Sequence, residues 1–86
     1  MAKRTRDSSP ALVLAVIAQV YEVAEGRIQP WYVDRSAIVL TAAANEVNSA
    51  IYYAEVSGWL VGAGGPPLSV AITGDGVRLL EECGLI

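Results

Sequence analysis

The sequence contains no histidine and a single cysteine, Cys83, among its 86 residues. One thiol excludes an intramolecular disulfide, and one thiol without histidine cannot provide the usual ligands of a zinc site. We therefore expect neither a metal nor another cofactor, and we interpret Cys83 as a small apolar side chain that fills space in the interior. A single cysteine is also typical of a protein of the cytoplasm, where disulfides are rare.

Basic residues are scarce and unevenly distributed. The chain has six lysines and arginines against nine aspartates and glutamates, a formal net charge of −3. Three of the basic residues, Lys3, Arg4 and Arg6, precede Asp7, and beyond it three arginines face eight acidic residues, a net charge of −5. This balance differs from the basic surface that is typical of a strong nucleic-acid binder.

Length and composition indicate one domain with an excess of apolar residues. We predict that residues 1–8 form a flexible basic arm and that residues 9–86 form the domain. Apolar residues make up 53% of the chain, which is high for so short a domain with a thin core. The simplest way to bury the additional apolar side chains is contact with a second copy of the chain. The apolar run at residues 11–24 contains Gln19 and Glu22 and is too short to span a bilayer, so we expect no membrane association.

The first helix has clear start and stop signals. Ser9 is a favourable N-cap, Pro10 suits the first helical position, and Gly26 suits the C-terminal end. On a helical wheel the apolar side chains cover an arc of roughly 200°, more than one small domain covers. Either the helix is unusually buried, or its second flank forms a homodimer interface. The interface candidates are Leu12, Leu14, Val16, Tyr21, Val23, Leu85 and Ile86.

The middle of the chain predicts two further helices. Residues 27–32 form a connector with aromatic anchors, in which Ile28 is a candidate for a short strand. Asp34 is expected to cap a short second helix that ends near Leu40, and a third helix follows over residues 45–57, terminated by Gly58. The inward face of the third helix comprises Val47, Ala50, Ile51 and Ala54. The outward residues are Asn45, Ser49, Tyr52 and Val56, with Asn48 and Tyr53 on the flanks.

After Gly58 the pattern becomes extended. We predict a strand at residues 59–61, a glycine- and proline-rich turn at 62–67, and a returning strand at 68–72. Thr73 then caps a final helix that ends near Cys83, with Gly76 as a close-packing position at its start. The predicted order of helix, short helix, helix, β-hairpin and helix is an α+β fold that is mostly α.

Two stretches resemble one protein family. Residues 45–60 (NEVNSAIYYAEVSGWL) resemble the recognition helix of winged helix-turn-helix transcription regulators, in which glycine ends the helix and an apolar pair begins the wing. Residues 70–82 (VAITGDGVRLLEE) resemble the strand and T-x-x-G segment that lead into the closing helix of that family. With the hairpin correctly spaced between them, residues 10–84 are similar to PadR-like and MarR-like regulators.

The resemblance implies a homodimeric regulator that binds double-stranded DNA. The third helix would enter the major groove, and the wing, with Gly62, Gly64, Gly65 and Pro66, would contact the DNA backbone. Asparagine can pair with adenine through two hydrogen bonds, and serine or tyrosine can reach phosphates or base edges. The groove-facing candidates are Asn45, Asn48, Ser49, Tyr52 and Tyr53. The candidates for phosphate contacts are Arg27, Arg35 and the arm residues Lys3, Arg4 and Arg6.

The charge pattern keeps a second function open. The third helix and the wing loop contain no lysine or arginine, and the helix carries Glu46 and Glu55, whereas affinity for DNA comes largely from neutralised phosphates. An acidic domain with exposed Tyr52 and Tyr53 also suits a protein partner. The alternative is therefore a winged-helix protein interaction module that does not bind DNA directly.

Catalysis is not expected. The chain has no histidine and no nucleophile with a base at a suitable spacing. The glycine-rich residues 62–65 are followed by prolines rather than by a helix N-terminus that could hold phosphate.

Overall fold

The computed structural model describes residues 9–64 and 67–86, which form three α-helices and three short strands. This arrangement confirms the α+β class with mostly helical content. The elements in chain order are α1 (Pro10–Val23), β1 (Val33–Asp34), a 3₁₀ turn (Arg35–Ala37), α2 (Ala44–Val56), β2 (Leu60–Ala63), β3 (Ser69–Ile72) and α3 (Gly74–Glu82). Within the described ranges, no helix is both long and apolar enough to cross a lipid bilayer.

The three strands form one antiparallel sheet in the order β1-β3-β2. Val33 is paired with Val70, and on the other side of β3 Leu60 is paired with Ile72. Because β3 is central and also packs against α1, Val70 and Ile72 are fully buried in the core. Ala71, on the opposite face of the strand, is fully buried as well. The core therefore lies between this sheet and the three helices.

Helix α1 begins as the sequence predicts. The Ser9 hydroxyl accepts a hydrogen bond from the Leu12 N–H at 3.1 Å, and Pro10 is the first helical residue. The helix ends at Val23, slightly before Gly26, whose positive φ of 82° lets its N–H donate to the Tyr21 carbonyl at 2.9 Å. That backbone conformation favours glycine, which explains why the chain turns here.

The predicted second helix is wrong beyond its first turn. Only Arg35–Ala37 are helical, as a 3₁₀ turn. Asp34 is at the N-cap position of this turn, but its side chain makes no capping hydrogen bond; it pairs with Ser69 in the sheet. Ile38 is extended and buried, and the next residue, Val39, donates its N–H to the Gln19 side chain at 2.9 Å. This distant partner gives the backbone a hydrogen bond that a continued helix would otherwise supply.

The predictions for the connector are also corrected. The third strand is formed by Val33–Asp34 and not by Ile28, which is exposed; Gln29 adds one hydrogen bond, from its N–H to the Ile72 carbonyl at 2.8 Å. Trp31 and Tyr32 are exposed and are not anchors in the core.

Helix α2 and the hairpin follow the prediction closely. The four inward residues Val47, Ala50, Ile51 and Ala54 are buried. Gly58 has a φ of 84° and ends the helix, and the following N–H, of Trp59, donates to the Ala54 carbonyl at 2.9 Å. Gly62 lies in β2 rather than in the turn, because it pairs with Val70. Gly64, with a φ of 89°, begins the turn.

One threonine joins three elements at the start of α3. The Thr73 hydroxyl accepts from the Gly76 N–H at 3.0 Å, as predicted for a helix cap, and donates to the Gly58 carbonyl at 2.6 Å. The Thr73 N–H also donates to the Trp59 carbonyl. The end of α2, the start of β2 and the start of α3 therefore share one junction. Beyond α3, Cys83 is exposed and is not the interior side chain predicted.

Candidate nucleic-acid interface

The side of α2 that faces away from the core carries an uncharged row of side chains. These four residues recur at helical spacing opposite the buried face and are all exposed. They are Asn45, Ser49, Tyr52 and Val56, named here the outer stripe. Tyr52 and Val56 are 68% and 70% exposed, so they are available to a partner.

A cation is fixed beside the outer stripe. Arg35 donates from Nε at 3.1 Å and from Nη2 at 2.8 Å to the Oδ1 atom of Asn48, on the flank of α2. The backbone N–H of Arg35 donates to the Leu68 carbonyl at 2.9 Å, which attaches it to the hairpin. Arg35 therefore holds α2 and the hairpin together, although it is 13 residues from Asn48 in the sequence.

A shallow groove of about 230 Å³ lies between α2 and the hairpin. It is lined by Arg35, Asn48, Ile51, Tyr52, Glu55 and Pro67. Gly62 forms part of its surroundings, because a Cβ at that position would overlap the Glu55 carboxylate and the Pro67 ring. The groove thus combines one cation, one amide, one phenol and one carboxylate.

The three described arginines have different surroundings. Arg27 pairs with Glu25 at 3.3 Å and stacks on the Trp31 ring at 4.4 Å, and Arg78 pairs with Asp75 at 2.8 Å. Within residues 9–64 and 67–86, Arg35 has no carboxylate at ion-pairing distance. Its positive charge is therefore the least neutralised of the three.

Arg27 does not join the site. Gln29, two residues after it, is bonded to Ile72, whereas Arg35 is bonded to Leu68. The two arginines consequently lie towards opposite ends of β3, and Arg35 is the one bonded to Asn48 of α2.

The two glutamates of α2 have separate roles. The Glu46 carboxylate accepts from the Ala43 N–H at 3.2 Å and so caps the helix N-terminus, where negative charge is favourable. Glu55 lies in the groove and reduces the attraction of Arg35 for a polyanion.

Tyr53 occupies the other flank of α2. Its ring lies 6.2 Å from that of Trp59, at a tilt of 41°. Both rings line an apolar groove of about 490 Å³ that also includes Pro10, Val13, Leu14, Leu79 and Cys83. Tyr53 is therefore separated from the Arg35 groove, in contrast to Tyr52.

The predicted dimer residues do not form one surface. Val16 is fully buried inside the chain and is removed from the candidates. Leu12 and Val23 share a helical face with Gln19, which bonds to Val39. Leu14 lines the apolar groove with Leu79. Tyr21 lies beside Leu85 and Ile86. Leu12 and Val23 therefore form one group of candidates and the remaining residues form another, which lies on the α3 side. This second group is named here the α1–α3 face and comprises Leu14, Tyr21, Leu85 and Ile86.

Sequence analysis missed Leu68 as part of the site, and it named Glu55 only as a charge of the third helix that opposes DNA binding. Leu68 is 70% exposed beside the hairpin turn. From the alternation of side chains along a strand it would be expected on the same face as the buried Val70 and Ile72. Only the hydrogen bond from Arg35 to the Leu68 carbonyl reveals its place. The candidates Lys3, Arg4, Arg6, Gly65 and Pro66 lie outside the described residues.

Comparison of the chain with protein-family models, curated protein sequences and solved structures finds no match. The function therefore has to be inferred from the outer stripe, the groove beside it and their charges.

Proposed function

We propose that the chain is a small winged-helix transcription regulator of the cytoplasm that binds double-stranded DNA as a homodimer. The observation that carries the proposal is the Arg35–Asn48 pair, which presents a cation beside the exposed outer stripe of α2. The strand order supports the winged-helix interpretation, since β1 pairs with β3 and the β2–β3 hairpin projects beside α2.

The outer stripe suits the major groove of DNA in size and chemistry. An α-helix fits this groove, and base edges are read there by hydrogen bonds and apolar contacts. Asn45 and Ser49 supply polar groups, while Tyr52 and Val56 supply exposed surface for a base or a thymine methyl group. Arg35 keeps N–H groups that no described residue uses, and these can donate to a phosphate.

The electrostatics predict weak binding with a shallow dependence on salt. Each neutralised phosphate adds about −0.9 to the slope of log affinity against log salt. Arg35 is the one described cation placed beside α2, and Glu55 opposes it. A dimer doubles the phosphate contacts, which is why association is part of the proposal.

Removing the charge of Arg35 is expected to weaken DNA binding. The variant Arg35→Gln should lose roughly tenfold in affinity for duplex DNA at low salt, since a charge-assisted phosphate contact is removed. Fluorescence anisotropy titrations over several salt concentrations measure both the affinity and the salt slope. Arg78→Gln is the matched control, because it removes the same charge from α3, where Asp75 already neutralises it. Equal losses in the two variants would attribute binding to net charge rather than to this site.

Association through the α1–α3 face is expected at micromolar concentration. Leu85 and Ile86 are about half exposed beside Tyr21, so a second copy can cover them. Sedimentation should give a dimer of the 9.1 kDa chain, and the double variant Leu85→Asp, Ile86→Asp should be monomeric. Val23→Asp, on the other flank of α1, serves as the control and should remain dimeric. A wild-type protein that sediments only as a monomer would contradict the homodimer.

Protein association without DNA is the second candidate. It is favoured by the exposure of Tyr52, Val56 and Leu68, each about 70%. Aromatic and apolar residues are enriched at the centres of protein interfaces, where charges are depleted. A folded wild-type protein that binds no duplex even at low salt would favour this candidate over DNA binding.

A further inference from the structure

The contact with Arg35 determines which way the Asn48 amide faces. A guanidinium group has only hydrogen-bond donors, so the Asn48 atom that meets Nε and Nη2 is the oxygen Oδ1. The amide nitrogen Nδ2 therefore lies on the other side of the group. Because Asn48 is exposed, the NH₂ group is available to a ligand while Oδ1 is already occupied twice.

The orientation of the Asn48 amide is fixed by contacts at both the side chain and the main chain of Arg35. Two N–H groups of a cation donate to one oxygen at 3.1 and 2.8 Å, and charge-assisted hydrogen bonds of this kind are stronger than neutral ones. The Arg35 backbone is attached to Leu68, which fixes the origin of the long side chain. Glu55 lines the same groove but does not reach ion-pairing distance of Arg35 within the described chain.

We propose that Asn48 determines base specificity as a hydrogen-bond donor only, and that its target is guanine. The proposal rests on the DNA-binding function argued above. Guanine presents two neighbouring acceptors in the major groove, N7 and O6, whereas adenine presents the acceptor N7 beside the donor N6. The usual asparagine–adenine pair needs the amide oxygen as an acceptor. Arg35 removes this option by occupying Oδ1.

Selection of duplexes from a randomised library identifies the preferred position. Wild-type protein should enrich guanine at one position of each half-site, and Asn48→Ala should lose that preference. Replacing this guanine with 7-deazaguanine, in which C–H replaces N7, should weaken wild-type binding about fivefold, the factor for one hydrogen bond. The same replacement should leave the affinity of Asn48→Ala unchanged. Asn45→Ala is the matched control, because it should lower both affinities and preserve their ratio.

Releasing the amide tests the role of Arg35. Arg35→Met keeps a long side chain and has no donor, so Asn48 can rotate and offer Oδ1 as an acceptor. The affinity ratio of guanine to adenine at the selected position should fall towards one in this variant, independently of the loss in overall affinity.

Three outcomes would overturn the proposal. Equal sensitivity of wild type and Asn48→Ala to 7-deazaguanine would show that Asn48 does not contact the base. Selection of adenine by the wild type would show that Oδ1 is free to accept. In both cases DNA binding itself would stand. Failure of every duplex to bind would overturn the DNA-binding function together with this inference.

Discussion

Replacing Gly76 with alanine should destabilise the fold by about 1 to 3 kcal/mol, the range for a steric overlap that packed surroundings cannot relieve. A Cβ at this position would overlap the Trp59 carbonyl oxygen and would lie 2.7 Å from Cγ1 of Ile72. The carbonyl belongs to backbone at the start of the hairpin, so relief requires α3 to move away from the sheet. The Thr73 junction would be strained by the same movement.

Gly74→Ala provides the control for Gly76→Ala within the same helix. A Cβ at Gly74 meets no atom within 4 Å, so this change should be neutral or should stabilise by a few tenths of a kcal/mol through the unfolded chain. Urea denaturation followed by circular dichroism gives both free energies of unfolding. A loss below about 0.5 kcal/mol for Gly76→Ala, which is typical of a surface change, would contradict the close contact.

Truncation of Ile51 should cost about 3 kcal/mol of stability, because burial of a large aliphatic side chain is lost and a cavity remains. Ile51 is 2% exposed, lies on the inward face of α2 and lines the Arg35 groove. Ile51→Ala should therefore weaken the fold and the shape of the site together, as measured by urea denaturation and DNA titration.

A substitution of the adjacent Tyr52 distinguishes an effect on stability from an effect on DNA contact. Tyr52→Ala should change the free energy of unfolding by less than about 0.5 kcal/mol, since Tyr52 is 68% exposed. Its affinity for DNA should nevertheless fall. A similar loss of stability in Tyr52→Ala and Ile51→Ala would show that the tyrosine is packed, which would contradict its place in the outer stripe.

Helix ends and helix faces could be predicted from the sequence because their causes are local. Ser9 and Pro10 mark the start of α1, Gly58 marks the end of α2, and the 3.6-residue period identifies the four buried residues of α2. Thr73 and Gly76 were also identifiable, since a cap and a close approach follow from neighbouring residues.

The errors concern residues whose partners are distant in the sequence. The second helix stops after one turn, and the Val39 N–H that follows it is bonded to the distant Gln19 side chain. A strand of two residues such as β1 is too short to show a period. Val16 is buried because of how the rest of the chain packs against α1. A helical wheel of α1 alone does not show which part of its apolar arc is covered in this way.

The candidate site was predictable in its residue types but not in its pairing. Tyr52 follows from the outward side of α2 and Asn48 from its flank, and Arg35 is one of the few basic residues in the chain. Their meeting across 13 residues depends on the turn between β1 and α2, whose path was wrong in the prediction. The orientation of the Asn48 amide, with Oδ1 towards Arg35, could not be deduced without that contact.

Position 35 serves the protein in two chemically independent ways. Its main-chain N–H attaches to the Leu68 carbonyl, and its side chain orients Asn48. Every residue type except proline has that main-chain group, so exchange of the side chain alone leaves the hairpin fastened. Under the role proposed for Asn48, a change of this side chain should alter the base preference. It would also remove the side-chain link to α2 and keep the main-chain link to the hairpin.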